Sequence, residues 1–230
     1  GDEGSDYDID PVEGTKRVLL LKSNPCNPTG VSLSADRLKN MVEKYSQPGR
    51  GAIFDEAYEF YNDPEPMSAI SYVKDIDKTD IFVVGAATKG LQVPGMRVGW
   101  VIAAEKHIEL FRNYSSFGMG GISRPSQLYV TELLEKSRVA HARQAVCDFY
   151  KSQRERYQTG LQEIGFELFT GCGGFYHWGL LPNNLTADEF NERLFKHDAG
   201  ILPGYLCDMQ RDGVSASPLD KFIRFSFGPL

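Results

Sequence analysis

The feature that most constrains the fold is a series of short apolar runs that alternate with helical patterns. The runs are Arg17 to Lys22, Gly51 to Phe54, Ile81 to Val84 and Val98 to Ala103. Short apolar runs bounded by turn signals indicate strands that are buried on both faces. After the first run, Ser34 can cap a helix that extends to Tyr45. This alternation predicts an α/β layer architecture with a largely parallel sheet.

The second half of the chain shows helical patterns first and short strands afterwards. Helices are predicted from Glu105 to about Phe117, Pro125 to Leu134 and Val139 to Ile164. A capping box at Thr186 and Glu189 opens a further helix to about His197. Short strands are predicted at Phe166 to Phe169, Gly174 to Leu180, Ile201 to Leu202 and Phe222 to Phe227. We therefore predict a large α/β domain at residues 1–150 and a smaller α+β subdomain at residues 151–230.

Composition excludes several classes of protein. Among 230 residues, 25 Lys and Arg face 31 Asp and Glu, and the net charge of −6 argues against a nucleic-acid partner. No apolar run reaches the roughly 18 residues of a membrane span. The acidic start, residues 1–10, resembles neither a signal peptide nor a transit peptide. The four cysteines form no C-x-x-C pair, and the four histidines show no close pairing with cysteines or carboxylates along the sequence. We therefore expect free thiols, no metal and a cytoplasmic location.

A turn rich in proline follows the first predicted strand. It reads Ser23-Asn24-Pro25-Cys26-Asn27-Pro28-Thr29-Gly30. Two Asn-Pro steps force a non-helical turn where ligands bind in open α/β sheets, outside the carboxyl end of a strand. The turn is either purely structural or places the amide of Asn27 to donate to a ligand oxygen.

An acidic residue, Asp55, follows the second predicted strand, and a phenol, Tyr58, comes three residues later. A carboxylate at a buried strand end is costly unless a positive group faces it. That group is either a Lys or Arg of a neighbouring loop or the protonated ring nitrogen of a cofactor. We expect Glu56 and Glu59 to be solvated.

Basic residues follow the third predicted strand. Lys89 lies among small residues after Thr88, and partial desolvation would make its amine nucleophilic, although a loop lysine is more often simply solvated. Arg97 precedes the fourth strand and could pair with Asp55 or clamp a phosphate.

Near the end of the chain, Arg224 lies between Ile223 and Phe225 in a predicted strand. Alternation along a strand predicts that its guanidinium lies on the face opposite to the side chains of Ile223 and Phe225. It is either solvated or a bidentate site for a carboxylate.

Taken in order, these pieces resemble the fold-type I pyridoxal-phosphate enzymes of the class I/II aminotransferase superfamily. The matching motifs are N-P-x-N-P-T-G, D-E-A-Y, T-K-x-x-x-x-P-G-x-R-x-G-W and R-x-S-F. The spacing agrees as well: Asp55 follows Asn27 by 28 residues, and Arg97 follows Lys89 by 8. The resemblance extends from about Val18 to the end of the chain.

The resemblance implies a role for each of these residues. Lys89 would form the Schiff base with pyridoxal 5'-phosphate and then move a proton at the substrate's Cα. Asp55 would hold the proton on the ring nitrogen. Arg97, with Thr88, would bind the phosphate, and Asn27 and Tyr58 would bind the phenolic oxygen. Arg224, with Asn27, would take the substrate's carboxylate. The first serine of the family's S-x-S-K motif is replaced by Ala86 and the second by Thr88, so one phosphate hydrogen bond is lost.

The resemblance also implies an N-terminal portion of the family domain that is absent from these 230 residues. Family members place a phosphate-binding loop, a stacking aromatic residue and an interface tyrosine there. We therefore expect a piece of a longer protein or an incomplete sequence, rather than a truncated and inactive descendant.

Four functions stay open on this basis. The first is an aminotransferase that moves an amino group between an α-amino acid and a 2-oxo acid, as a homodimer. The second is another reaction of the same cofactor, of the C–S β-lyase or cyclopropane-carboxylate synthase type. The third is the ligand-sensing domain of an aminotransferase-like transcription regulator, and the fourth is a remnant that binds no cofactor.

Overall fold

A computed structural model describes residues 17–63, 67–210 and 217–228, and it divides into two compact units. The first unit comprises residues 17–25 and 32–147, and the second comprises residues 26–31 and 148–228. The acidic segment at residues 1–10, interpreted above from its composition, lies outside the described residues. The domain boundary at residue 150 stays a prediction.

The first unit is built on a four-stranded sheet. Its strands are β1 (Val18–Ser23), β2 (Arg50–Asp55), β3 (Ile81–Ala86) and β4 (Gly99–Ile102), in the order β1-β2-β3-β4. The first three strands are parallel, which confirms the predicted α/β class with a largely parallel sheet. The fourth is antiparallel to β3. A parallel crossover requires about a dozen residues or more with a full helix, and the link from β3 to β4 contains only helical turns.

Helices cover this sheet and extend the unit. They are α1 (Ala35–Tyr45), the one-turn helix α2 (Ala87–Gly90), α3 (Glu105–Tyr114), α4 (Arg124–Leu133) and α5 (Lys136–Glu163). Ser34 caps α1 as predicted, and the buried side chains of Leu38, Val42 and Tyr45 pack into one core with Phe54 and Ile81. The predicted helix from Glu105 ends as α-helix at Tyr114, and a π-helical turn follows at Ser115–Met119.

The second unit contains the C-terminal part of α5 and an antiparallel sheet. The strands β5 (Glu167–Leu168), β6 (Tyr176–Leu180), β7 (Leu202–Pro203) and β8 (Phe222–Ser226) lie in the order β5-β6-β8-β7. The helix α6 (Ala187–Leu194) begins with the predicted capping box of Thr186 and Glu189. Ile223 of β8 is fully buried in a core with Leu161, Phe166, Leu181 and Ala187.

The described residues contain neither a membrane-spanning helix nor a cluster of metal ligands. None of the described helices combines the length and the apolar character that crossing a bilayer requires. Within the same ranges, no group of three or more His, Cys, Asp or Glu residues could hold a metal ion. All four cysteines carry free thiols.

Candidate functional site

The carboxyl end of β2 places Asp55 at the centre of the parallel sheet. Asp55 lies opposite Ser23 of β1 on one side and Val84 of β3 on the other. Its Oδ1 accepts a hydrogen bond of 3.1 Å from the backbone N–H of Ala57, which fixes the carboxylate at the strand end. Within the part of the chain that the structure describes, Asp55 forms no ion pair with a lysine or arginine. No lysine or arginine of the described residues therefore supports the loop-cation interpretation, and the pairing of Asp55 with a cofactor stays a prediction.

The two glutamates after Asp55 are not solvated, which corrects the expectation from sequence. Glu56 is 6% exposed, and its Oε1 accepts a 2.7 Å hydrogen bond from the backbone N–H of Ala69. Burial raises the pKa of Glu56 to about 7, against the opposing hydrogen bonds from Ser68 and Ala69. Burial also raises the pKa of Glu59, and this effect outweighs the lowering by its ion-pair partner Arg143. The sequence pattern missed this because the covering residues come from later segments.

Lys89 lies in α2, directly after β3. Its backbone carbonyl accepts two hydrogen bonds, from the N–H of Gln92 at 3.1 Å and from the hydroxyl of Tyr61 at 3.0 Å. Thr88 and Lys89 are partly exposed, whereas Gly90 is buried. Because β2 and β3 are parallel neighbours, Asp55 and Lys89 follow their strands at the same edge of the sheet.

Tyr58 and Arg97 complete the predicted residues of the first unit. Tyr58 is 8% exposed, and its ring meets that of Tyr61 edge to face with 6.1 Å between centroids. Arg97 is exposed, has left-handed backbone angles (φ 54°, ψ 40°) and donates from Nη1 to the carbonyl of Pro94 at 3.0 Å. The interpretation in which Arg97 pairs with Asp55 is wrong, and its role at a phosphate stays a prediction.

Arg224 and Asn27 come together in the second unit, 197 residues apart in sequence. Nη1 of Arg224 donates to Oδ1 of Asn27 at 2.8 Å, and the guanidinium carbon lies 4.4 Å from the ring centroid of Tyr176. In the register of the sheet, Arg224 stands opposite Trp178 and Leu202. Its Nε is buried and has no hydrogen-bond partner among the described residues. The guanidinium has further N–H groups besides the one that binds Asn27, and guanidinium groups bind carboxylates through paired N–H groups.

A backbone contact fixes the turn that carries Asn27. Gly171 donates to the carbonyl of Thr29 at 2.9 Å, and Gly173 donates to that of Gly30 at 2.8 Å. Glycine is required here, because Gly30 has φ +69° and a Cβ on it would lie 2.4 Å from the carbonyl oxygen of Gly173. The run from Gly171 to Gly174 thus binds the backbone of the turn that carries Asn27.

Two residues with a place in this geometry were missed by the sequence patterns. Tyr176 lies on β6, two residues before Trp178, which pairs with Arg224 of β8. The contact depends on the pairing of two strands that are distant in sequence, so no local pattern indicates it. Tyr61 follows the D-E-A-Y motif by three residues, and only its contact with Lys89 distinguishes it from an ordinary core tyrosine.

Comparison with known proteins identifies the family of this chain. The model of the family described as aminotransferase class I and II matches residues 4–228. The chain belongs to this family. The match covers both units, and it confirms the resemblance drawn from the four motifs.

Two sequence relatives and one solved structure illustrate what the chain is similar to. The chain is 26% identical over 209 residues to a 1-aminocyclopropane-1-carboxylate synthase of Nicotiana tabacum, covering 84% of the chain and 42% of that protein. It is 27% identical over 197 residues to the LL-diaminopimelate aminotransferase of Natranaerobius thermophilus, covering 83% and 49%. The crystal structure of an aromatic aminotransferase from Pyrococcus horikoshii superposes with a TM-score of 0.76 at 22% identity, covering 90% and 54%. The chain spans about half, or less, of the length of these relatives.

Proposed function

We propose that the protein containing this chain is a pyridoxal-phosphate-dependent aminotransferase that acts between an α-amino acid and a 2-oxo acid. One observation carries the proposal: Asp55 and Lys89 follow neighbouring parallel strands at one edge of the sheet, in a chain of the aminotransferase class I and II family. A carboxylate and a primary amine at such an edge are the two groups that this cofactor requires from a protein.

The donors of the first unit fit pyridoxal phosphate chemically. Lys89 supplies a primary amine, Asp55 a carboxylate held by the N–H of Ala57, and Tyr58 a phenol. Arg97 and Thr88 supply a guanidinium and a hydroxyl that suit a phosphate. The cofactor, when bound, supplies an aldehyde that condenses with amines and a pyridinium ring that accepts the electron pair released at Cα.

The chemistry of each side chain suggests its role at the bound cofactor. Lys89 would hold the cofactor and, once its amine is free, remove and return the proton at the substrate's Cα. Asp55 would keep a proton on the ring nitrogen, since an ionised carboxylate beside a pyridine nitrogen favours the protonated ring. Tyr58 would donate to the phenolic oxygen of the ring.

The second unit supports an α-carboxylate as the other feature of the substrate. Asn27 binds the guanidinium of Arg224 at one edge, and the ring of Tyr176 packs on one face of it. A guanidinium held in one orientation can bind a substrate carboxylate through its remaining N–H groups with little loss of side-chain freedom. Amino acids and oxo acids both carry this carboxylate. Asn27, whose Oδ1 is engaged by Arg224, would donate from its other amide atom.

A second reaction at the same site is favoured by one relative. The Nicotiana tabacum protein is named as a 1-aminocyclopropane-1-carboxylate synthase, so the family relationship supports synthase or lyase chemistry as well as transamination. All these reactions begin with loss of the Cα proton and differ afterwards. A homodimer with amino acid and oxo acid as its small-molecule partners, and a cytoplasmic location, are further parts of this proposal.

A single-turnover experiment separates these reactions. The naturally expressed protein, loaded with pyridoxal phosphate, is mixed with single amino acids and followed by absorbance. Transamination predicts conversion of the cofactor to its amine form and recovery on adding a 2-oxo acid. Turnover without the amine form would instead support the synthase or lyase reaction, and no spectral response to any amino acid would overturn both.

The variant Arg224→Gln tests the substrate's carboxylate. Loss of charge-assisted hydrogen bonds predicts that reaction with amino acids slows by about 10²-fold or more. Reaction with the corresponding amines, which lack the carboxylate, should keep its rate. Equal losses for both classes of compound would show that Arg224 supports the fold and not the substrate.

A further inference from the structure

The short 3₁₀ turn after β2, at Glu59–Tyr61, is an element that the proposed function leaves unused. All three of its side chains are engaged within the first unit. Glu59 forms an ion pair with Arg143 of α5, and the guanidinium of Arg143 lies 5.3 Å from the ring centroid of Phe60. The turn is therefore fixed to α5 on one side.

The other side of this turn contacts α2 at the lysine. The ring of Phe60 packs so tightly on Gly90 that a Cβ at Gly90 would lie 2.7 Å from Cγ of Phe60. Tyr61 is 1% exposed and donates its hydroxyl hydrogen to the carbonyl of Lys89 at 3.0 Å. This hydroxyl adds a side-chain donor to a carbonyl that also accepts from the N–H of Gln92.

Tyr61 also contacts the predicted cofactor residue on its own segment. Its ring lies edge to face with that of Tyr58, at 6.1 Å and 63°. Edge-to-face aromatic pairs of this spacing have a preferred mutual geometry, so one ring restrains the other. The hydroxyl of Tyr61 thus contacts the backbone of Lys89, and its ring contacts the ring of Tyr58.

We propose that Tyr61 is a positioning residue for Lys89: it holds the lysine's backbone through its hydroxyl and ties it to Tyr58. The inference rests on the proposed function, because it assigns Tyr61 a part in orienting the amine that would hold the cofactor. Glu59 and Phe60 support Tyr61 by fixing its turn to α5 and α2. Tyr61 itself touches no reacting atom in this proposal.

The chain offers a matched pair of variants. Tyr61→Phe removes only the hydroxyl that binds Lys89. Tyr45→Phe removes the hydroxyl of another fully buried tyrosine, which has no hydrogen-bond partner among the described residues. Gly90→Ala disturbs the same contact from the lysine's side, through the ring of Phe60. Midpoints of thermal unfolding establish that each variant is folded.

Two measurements on the naturally expressed protein test the proposal. In the cofactor-free form, Tyr61→Phe should speed hydrogen exchange at the amides of Leu91 and Gln92 about five-fold, the effect of one net hydrogen bond. In the form loaded with pyridoxal phosphate, the pH midpoint of the visible band should shift by about half a pH unit. Gly90→Ala should act in both measurements, and Tyr45→Phe should act in neither.

The outcomes separate this inference from the proposed function. Unchanged exchange at Leu91 and Gln92 in Tyr61→Phe would overturn the inference while leaving the cofactor in place. Faster exchange with an unchanged pH midpoint would reduce Tyr61 to a structural role and overturn it as well. If the unmodified protein binds no cofactor, the proposed function fails, and exchange alone then decides whether Tyr61 holds Lys89.

Discussion

Replacing Glu56 by glutamine should stabilise the protein at alkaline pH and lose this advantage in acid. Glu56 is 6% exposed, and burial raises its pKa from 4.5 to about 7. A pKa that is higher in the folded than in the unfolded state means that folding disfavours the ionised form. The penalty is complete above pH 7 and fades as the pH falls towards 4.5.

The structure sets the size of the effect. Each pH unit between the two pKa values corresponds to about 1.4 kcal/mol, so the penalty removed at pH 8 is at most about 3 kcal/mol. Glutamine keeps an oxygen for the N–H of Ala69 and can donate its amide to the hydroxyl of Ser68. After the cost of burying the amide, we expect Glu56→Gln to gain about 1–3 kcal/mol at pH 8.

The assay is the free energy of unfolding in urea, measured for Glu56→Gln and the unmodified protein at pH 5, 6, 7 and 8. The difference between the two cancels the contributions of other titrating groups. Glu43→Gln, at an exposed acid of α1, is the matched control and should show no such trend. A difference that is constant with pH, or a variant that is less stable at pH 8, would refute the assignment of Glu56 as a buried acid.

Two further predictions concern the second unit. Gly30→Ala should destabilise the protein by at least about 2 kcal/mol in thermal unfolding, because the residue has φ +69° and no room for a Cβ. A Cβ on the control residue Gly95 would meet nothing within 4 Å, so Gly95→Ala should change the stability by no more than about 0.5 kcal/mol in the same assay. The ring of His177, which burial holds at a pKa of about 4, should stay neutral in NMR spectra down to about pH 5. Because that pKa lies below its ordinary value of 6.5, stability is complete above pH 6.5 and falls on acidification, and a ring that titrates near neutral pH would contradict the burial.

Local patterns in the sequence were sufficient for the regular elements and for the order of the motifs. The apolar runs at β2 and β3 are buried or partly buried on both faces, as a layered parallel sheet provides. The same prediction for β1 is wrong, because Leu19 and Leu21 are 60% and 70% exposed and only its other face is covered. Ser34 and the Thr186 capping box marked helix starts because the unpaired N–H groups there need an acceptor. Asp55 and Lys89 were predicted because Asp55 follows one predicted strand directly and Lys89 lies in the helical turn after another.

Contacts between distant segments were beyond the sequence. Glu56 looked solvated because Ala69 and Ser68, which bury and bind it, lie on a later segment. The bond from Arg224 to Asn27 spans nearly the whole chain, and no local period encodes it. The antiparallel direction of β4 depended on the length and form of one connection, which the run of apolar residues does not specify.

The most direct test of the central claim is to reduce the naturally expressed protein with borohydride in the presence of pyridoxal phosphate and to map the labelled peptide. The account predicts one pyridoxyl group per chain, on Lys89, and its loss in Lys89→Ala. No label, or label spread over other lysines and retained in Lys89→Ala, would contradict the assignment of Lys89 as the cofactor-binding residue.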